Sequence, residues 1–270
     1  MSVVAAGLLG LMTGLHTATW GAYKDSPFEG FKGRSFLRSV LLGGAVATTV
    51  ALTTTWEDDL HPLALVGLFY TGERLATEWW KTIVREDDQA AYTIPMRLGY
   101  RGRPVDRVGV RYAVGMAVVV GLMLVCLAAS AAQDLMAAAP HAVTVLVGGI
   151  GGWLTAVGGA WKDAPIEGFS GWKFLRSPVV ATAWAVPLAF LIDDWAILAL
   201  CAGGFSVASI ETYKTFFTGG RPPGKFASKP VRHRLPRLRP LLALQHTGCW
   251  VAFAVVGTST TTQQLALVWP

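Results

Sequence analysis

Charged residues are scarce in this sequence, and that scarcity decides its class. Asp, Glu, Lys and Arg make up 15% of the 270 residues, whereas 53% are hydrophobic. Soluble globular proteins carry about 25% charged residues, and disordered chains are more polar still. The composition therefore excludes both classes and predicts a membrane protein with several spans.

Cysteines and catalytic motifs are also scarce. The three cysteines each fall inside an apolar run without metal-ligand spacing, and we interpret them as packing residues. The chain contains no P-loop, GxSxG, HExxH or CxxC sequence. No cleaved signal peptide is expected, because the first apolar run begins at Ser2 without basic residues before it.

Eight apolar runs are long enough to cross a bilayer as helices, which takes about 17–25 residues. They lie at 2–22, 38–56, 61–81, 108–129, 141–161, 177–193, 195–213 and 241–259. The runs do not alternate as barrel strands do, and unpaired backbone cannot face lipid. We therefore predict an all-α polytopic membrane protein with about eight transmembrane helices.

Eight spans would place alternate connections on opposite sides of the membrane. Basic residues are missing from the connections on one of these two faces. All 23 Lys and Arg residues lie in or beside the connections 24–38, 82–107, 162–176 and 214–240. On this face they outnumber 11 acidic residues, for a net charge of +12, whereas the other face carries six acidic residues and a net charge of −6. Because positive residues mark the cytoplasmic side, we expect a bacterial-type inner membrane protein with both termini outside.

A duplicated segment divides the chain into two halves. Residues 21–39 read GAYKDSPFEGFKGRSFLRS and residues 159–177 read GAWKDAPIEGFSGWKFLRS, with 13 of 19 positions identical. The ExxKT sequence that begins at Glu78 recurs at Glu211. Four spans per copy is an even number, so both copies have the same orientation, and we predict a pseudo-twofold axis along the membrane normal. The predicted four-helix repeats are 1–135 and 136–270.

The repeated KDxPxEGF motif has a structural interpretation. Pro27 would end one helix and begin an interfacial helix, with Ser26 and Glu29 forming a capping box. Long cationic side chains at the membrane exit would reach the headgroups.

The same motif has a functional interpretation. Carboxylates next to Lys and Arg are typical of a phosphate bridged by Mg²⁺, a cation that prefers oxygen ligands. The candidate metal ligands are Asp25, Glu29, Asp163 and Glu167. The candidate anion- or phosphate-binding residues are Lys24, Arg38, Lys81, Lys162, Arg176 and Lys214.

Ionisable residues within spans are functional candidates by default. They are His16, Glu73, Arg74, Glu78, Glu211 and His246. Hydrogen-bonded packing and local ion pairs are the alternative interpretation of each. The second half has Ser206 and Val207 in place of Glu73 and Arg74, so a divergence of roles would make the first half the working one.

The connection 214–240 carries eight basic residues and no acidic one. We expect it to lie against anionic lipids, with a clamp for an anionic substrate or a contact for a protein partner as alternatives. Nucleic-acid binding is not expected, because no stacking platform or nucleic-acid fold accompanies the charge.

Three functions remain open from these patterns. The first is binding or transforming a phosphorylated lipid at the cytoplasmic leaflet, through Mg²⁺-assisted phosphoryl or nucleotidyl transfer. Residues 26–31 resemble a short signature of membrane cytidylyltransferases that act on lipid phosphates, although the Asp-rich C-terminal motif of that family is absent. The second is a transporter or channel for a small anion or ion along the axis, and the third is a structural subunit of a membrane complex.

Overall fold

The computed structural model describes residues 1–136, 138, 140–218 and 222–268, and these residues are mostly helical. The helices are α1 (Val3–Glu29), α2 (Gly33–Thr53), α3 (Trp56–Asp59), α4 (Pro62–Trp79), α5 (Val108–Leu135), α6 (His141–Gly148), α7 (Ile150–Glu167), α8 (Gly171–Leu188), α9 (Trp195–Thr212) and α10 (Leu238–Val268). Strands in these ranges are limited to an antiparallel pair, β1 (Gly99–Tyr100) and β2 (Arg103–Pro104). The all-α class is confirmed. Arg221, one of the eight basic residues of the 214–240 connection, lies outside the described residues.

Six helical segments in the described ranges are long and apolar enough to cross a membrane. They are Val3–Glu29, Gly33–Thr53, Val108–Leu135, His141–Glu167, Trp195–Phe217 and Leu238–Thr258. Each overlaps one of the predicted spans. The other two predicted spans, 61–81 and 177–193, coincide largely with α4 and α8, which are helical but do not belong to the six. The chain has the helices of a multi-pass membrane protein, and the count of eight spans stays a prediction.

The expected new helix at Pro27 does not form. α1 continues through Pro27, and α7 continues in the same way through Pro165. Each proline removes only one backbone hydrogen bond close to the helix end, which a membrane helix tolerates. Both helices stop before a glycine in the left-handed half of backbone space, Gly30 at φ 76° and Gly168 at φ 82°. The prediction of a capping box at Ser26 is therefore wrong, because Ser26 lies inside α1.

Small residues bring neighbouring helices into backbone contact in each half of the chain. A Cβ on Gly14 of α1 would lie 2.3 Å from the carbonyl oxygen of Ser39 in α2. A Cβ on Gly152 of α7 would lie 2.4 Å from the carbonyl oxygen of Ser177 in α8. No side chain fits at such distances, so each crossing requires glycine.

The helices α4 and α9 join the two halves through a similar crossing. A Cβ on Gly204 would lie 2.3 Å from the carbonyl oxygen of Gly67. One turn away, the Thr71 hydroxyl donates to the carbonyl oxygen of Leu200 at 2.6 Å. Buried apolar side chains surround this crossing, among them Leu65, Phe69, Leu188, Leu198 and Phe205. The contact holds the charged ends of α4 and α9 next to each other.

We predict that Gly152→Ala destabilises the protein by about 1–3 kcal/mol, because the added methyl group forces α7 and α8 apart. Reversible unfolding in mixed micelles measures the change in free energy. Gly158→Ala is the matched control in the same helix, since no described atom outside the local backbone of α7 lies within 4 Å of its Cβ position. Equal stabilities of the two variants would contradict the close crossing.

Candidate functional site

The helices α4 and α9 end in the same uncommon way. α4 continues into a π-helical turn at Trp80–Val84, and α9 continues into one at Tyr213–Phe217. Turns of this kind are rare and frequently accompany functional sites. In each case the turn contains the lysine of the repeated ExxKT sequence, which pairs with the glutamate three residues earlier.

Glu211 holds two lysines from different helices. Its carboxylate lies 2.6 Å from Nζ of Lys24 in α1 and 3.0 Å from Nζ of Lys214. The Lys24 ammonium also lies 4.6 Å from the centre of the Trp20 ring, a cation–π contact. The Lys24 and Glu211 side chains are 19% and 15% exposed, so solvent ions screen this pair less than a surface pair.

Glu78 occupies the corresponding place on α4. It forms ion pairs with Arg74 and with Lys81, the latter at 3.1 Å. Lys162 of α7 also interacts electrostatically with Glu78. Thus the glutamate of each half faces the lysine of the KDxPxEGF motif of the other half. We call this group of six residues the charged cluster: Lys24, Glu78, Lys81, Lys162, Glu211 and Lys214.

The four carboxylates predicted to bind a metal lie near lysines instead. Three of them form ion pairs at 2.6–2.7 Å, Asp25 with Lys225, Glu29 with Lys32 and Glu167 with Lys173. The fourth, Asp163, interacts electrostatically with Lys162 and Lys214. Within the described ranges no group of three His, Cys, Asp or Glu residues is placed to hold a metal ion. Magnesium stays a prediction, and no step below passes through a metal.

Arg38 and Arg176 differ from the other predicted anion-binding residues. Arg38 lies in α2 and Arg176 in α8, and neither forms an ion pair with a residue that the structure describes. The Nε atom of each is buried without a hydrogen-bond partner. The charged cluster therefore contains four of the six predicted cations.

The predicted intramembrane residues include a buried polar group to which both halves contribute. The rings of His16 and His246 have centroids 4.1 Å apart. His16 Nδ1 lies 3.2 Å from the Tyr70 hydroxyl, and His246 Nε2 lies 2.9 Å from the Thr212 hydroxyl. Glu73 is wholly buried; its Oε1 accepts from the Thr77 hydroxyl at 2.8 Å, and its Oε2 lies 3.9 Å from Nη1 of Arg74. Both histidines are hydrogen-bonded, yet each keeps one buried nitrogen without a hydrogen-bond partner among the described residues.

A cavity of about 260 Å³ opens beside Lys24 and Lys214, between the end of α1, the π-helical turn after α9 and the segment before α10. We call it the basic cavity. Its basic lining residues are Lys24, Lys214, His233, Arg234 and Arg239. Its apolar lining residues are Pro27, Phe28, Pro223, Val231, Leu235 and Pro236. Among the described residues, no acidic side chain lines it.

The end of α1 positions the segment that closes the basic cavity. The last carbonyls of a helix have no partner within the helix. The Pro27 carbonyl oxygen accepts hydrogen bonds from the backbone N–H groups of Arg232 at 2.9 Å and His233 at 3.0 Å. The Phe28 ring stacks on Phe226, with centroids 4.9 Å apart. Two parts of the basic connection are therefore docked on α1.

Two groups at the basic cavity have unused donors. Thr215 is 5% exposed, and its hydroxyl has no hydrogen-bond partner in the described part of the chain. The Arg239 guanidinium lies 4.3 Å from the centre of the Tyr23 ring, and its buried Nε is also without a partner. Buried donors are normally satisfied, and charge-assisted bonds to an anion are the strongest way to satisfy them.

Sequence reasoning did not place Arg234 and Arg239 among the candidate site residues. The available signal was the absence of acidic residues from 214–240, which favoured lipid contact or an anion clamp. Only the docking of this segment on α1 shows which of its cations face a cavity.

The connection after α4 is ordered by ion pairs outside the helices. Arg97 bonds Glu86 at 2.6 Å, and the buried Arg111 at the start of α5 bonds the same carboxylate. The hydrogen bond from Arg111 holds the pKa of Glu86 below its usual range. Burial raises the pKa of Tyr92 to about 12. This connection therefore forms a fixed platform next to the basic segment, to which it bonds through Thr93.

Comparison of the chain with family models, with curated proteins and with solved structures finds no match.

We predict that Glu211→Gln lowers the free energy of unfolding by about 3 kcal/mol, because Lys24 and Lys214 then lose their shared counter-ion. Glu29→Gln is the control, since its partner Lys32 is 53% exposed and such pairs contribute at most about 1 kcal/mol. Unfolding in mixed micelles compares the two variants with the wild type. A larger loss in Glu29→Gln would show that Glu211 does not hold the cluster.

Proposed function

We propose that this protein is an integral membrane protein that binds the phosphate-bearing headgroup of an anionic lipid in the basic cavity. The observation that carries the proposal is the lining of the cavity, in which basic side chains and apolar side chains occur without an acidic one among the described residues. A membrane lipid with a phosphorylated headgroup has the complementary chemistry.

The charge balance of the cavity supports an anionic ligand. Glu211 neutralises part of the charge of Lys24 and Lys214 from behind the lining. Arg234 and Arg239 form no ion pair with any described residue, so their charges are available to a ligand. The Thr215 hydroxyl adds a neutral donor. Guanidinium groups bind phosphate oxygens with two parallel hydrogen bonds, which suits them to this role.

The apolar walls and the volume support a lipid headgroup over larger ligands. Phe28, Val231 and Leu235 offer an apolar surface that an inorganic anion does not use. Pockets for drug-sized ligands measure about 300–1,000 Å³, and the cavity of about 260 Å³ lies below that range. The proposal is therefore for binding of a headgroup. With no carboxylate among the described lining residues, phosphoryl or nucleotidyl transfer is not assigned to the cavity.

Reciprocal contacts support the architecture that we propose, two parallel four-helix repeats with eight spans. Aligning Glu78 with Glu211 aligns Thr71 with Gly204 and Gly67 with Leu200. A twofold rotation that superimposes one half on the other would therefore convert the Thr71–Leu200 contact into the Gly204–Gly67 contact. The interaction of each KDxPxEGF lysine with the glutamate of the other half follows the same rule, as an ion pair for Lys24 with Glu211 and as a longer electrostatic interaction for Lys162 with Glu78.

We further propose that the charged cluster lies at the cytoplasmic side of a bacterial-type inner membrane, with both termini outside. The excess of basic residues on that side supports this orientation. The basic cavity would then open at the depth of the inner-leaflet headgroups. The part of the connection 214–240 that lines the basic cavity would contribute lipid contacts, and the exposed Arg232 and Arg237 outside the lining leave room for a protein partner.

We predict that Arg239→Gln weakens the binding of a short-chain phosphatidic acid at least tenfold, because one charge-assisted hydrogen bond contributes about 1.5–3 kcal/mol. Titration calorimetry of the full chain in detergent measures the affinity. Arg237→Gln removes the same charge from the same segment but does not line the cavity, so it should bind as the wild type does.

Two further ligands show whether the cavity binds the headgroup of a lipid or free phosphate. Inorganic phosphate should bind more weakly than short-chain phosphatidic acid, because it leaves the apolar walls uncovered. Short-chain phosphatidylcholine, which has no net charge, should bind weakly or not at all. Equal affinity of Arg239→Gln and Arg237→Gln for phosphatidic acid would contradict the proposed site.

Transport of a small ion is a second candidate function, favoured by the buried polar group of His16, Glu73 and His246. Each histidine keeps a buried nitrogen without a hydrogen-bond partner among the described residues, and Glu73 is wholly buried beside Arg74. Ionisable side chains within spans are costly and are functional candidates by default. If the protein conducts ions, vesicles containing it will dissipate a proton, chloride or phosphate gradient, and His16→Gln will slow this flux at least tenfold. Absence of flux for all three ions removes this candidate.

A further inference from the structure

One face of α2 combines arginines with leucines in a single stripe. Its members line an open groove of about 550 Å³ on the outside of the helix: Arg34, Leu37, Arg38, Leu41, Leu42 and Ala45. Their spacing alternates between three residues and one, which places all six on one side of an α-helix. We call this surface the α2 groove.

The two cations of the α2 groove are available to a ligand. Arg34 and Arg38 lie one helical turn apart, and neither forms a hydrogen bond or an ion pair with a residue in the described ranges. The Nε atom of Arg38 is buried without a hydrogen-bond partner among the described residues. Two basic residues, Arg74 and Arg85, and two acidic residues, Glu73 and Asp87, interact electrostatically with Arg38. Because the formal charges of these four residues sum to zero, they leave the positive charge of Arg38 available to a ligand.

The rest of the α2 groove is apolar and faces outward. Leu37 is 57% exposed and Leu41 is 64% exposed. They belong to a helix that is long and apolar enough to cross a membrane, Gly33–Thr53, with the arginines near its first turn. Exposed leucines on such a helix contact acyl chains, and arginines at its end lie at the depth of the phosphates.

We infer that the α2 groove is a binding site for an anionic phospholipid, with the phosphate between Arg34 and Arg38 and an acyl chain along Leu37, Leu41 and Leu42. Two features argue for this occupant. The arginines have the charge opposite to that of a phosphate, and along the helix they come before the leucines, as a phosphate comes before the acyl chains of a lipid. The site shares no lining residue with the basic cavity, so it does not depend on the function proposed for that cavity.

The duplicated copy in α8 provides an internal comparison. Arg38 corresponds to Arg176, but Arg34 corresponds to Trp172, which is 72% exposed. The second copy therefore has one arginine where the first has two. The other cation of the second copy, Lys173, forms an ion pair with Glu167 at 2.7 Å. A single arginine near the membrane surface contributes about 1 kcal/mol to binding an anionic lipid, so only the first half is expected to select a charged headgroup.

The test exchanges the residues that distinguish the two copies. The full chain is purified with equal parts of phosphatidylglycerol and phosphatidylcholine, and native mass spectrometry counts the lipids of each kind that remain bound. Arg34→Trp should reduce the preference for phosphatidylglycerol about five- to tenfold, because one phosphate contact is lost. Trp172→Arg should add one retained phosphatidylglycerol to the number that the wild type retains.

Controls keep the outcome specific to the α2 groove. Arg237→Trp makes the same change at a residue outside both sites and should leave the preference unchanged. Arg239→Gln, in the basic cavity, should leave the Arg34-dependent preference intact. Arg34→Gln tests the charge without the bulk of tryptophan and should behave as Arg34→Trp does.

Three results would overturn the assignment. The first is an unchanged preference in both Arg34 variants, and the second is an equal loss in Arg237→Trp, which would reveal a general effect of charge. The third is complete displacement of phosphatidylglycerol by an equal concentration of inorganic phosphate, since the acyl chain would then contribute nothing.

Discussion

Glu211 joins three parts of the chain at the charged end of the helices, and the candidate site depends on this carboxylate. It accepts from Lys24 of α1 and from Lys214 of its own π-helical turn, so one anion holds two of the cations that line the basic cavity. Partial burial limits screening by salt, which makes the arrangement more persistent than a surface ion pair. Because the same end of α1 binds the segment of Arg232 and His233 through the Pro27 carbonyl, fixing α1 also fixes the remaining wall of the cavity.

The two halves repeat their local structure but not their polar content. Both contain a glycine-to-carbonyl crossing, a helix that runs through proline to a positive-φ glycine, and a glutamate–lysine pair at a π-helical turn. The first half alone adds Glu73 and Arg74 inside α4 and Arg34 at the start of α2. The equivalent residues are Ser206, Val207 and Trp172. Packing contacts were thus retained in both copies because each crossing needs them, whereas the charged groups differ.

The basic cavity and the α2 groove use the same physical combination in different places. Each sets arginines beside apolar side chains near the end of a helix, where a lipid presents its phosphate next to its chains. The two sites differ in how far the protein encloses them. The cavity is closed by a segment docked on α1 and has buried donors, which favours selection of a particular headgroup. The groove lies open on the outside of α2, and at the proposed site an acyl chain would supply much of the contact surface.

The sequence by itself determined the helical class, the approximate positions of the apolar helices and the duplication, because composition and short-range spacing carry that information. Local reasoning was wrong at Pro27, where a continuous helix loses one hydrogen bond and keeps α1 long enough to reach the basic segment. Only the tertiary structure decided which cations share a site. Lys24 and Glu211 are 187 residues apart in sequence, whereas Arg38 lines the α2 groove, to which neither of them contributes. Glycine crossings restrict the rotation of α1, α2, α4, α7, α8 and α9, because the backbones meet there too closely for a side chain to lie between them. Such contacts depend on the partner helix, so no local pattern encodes them.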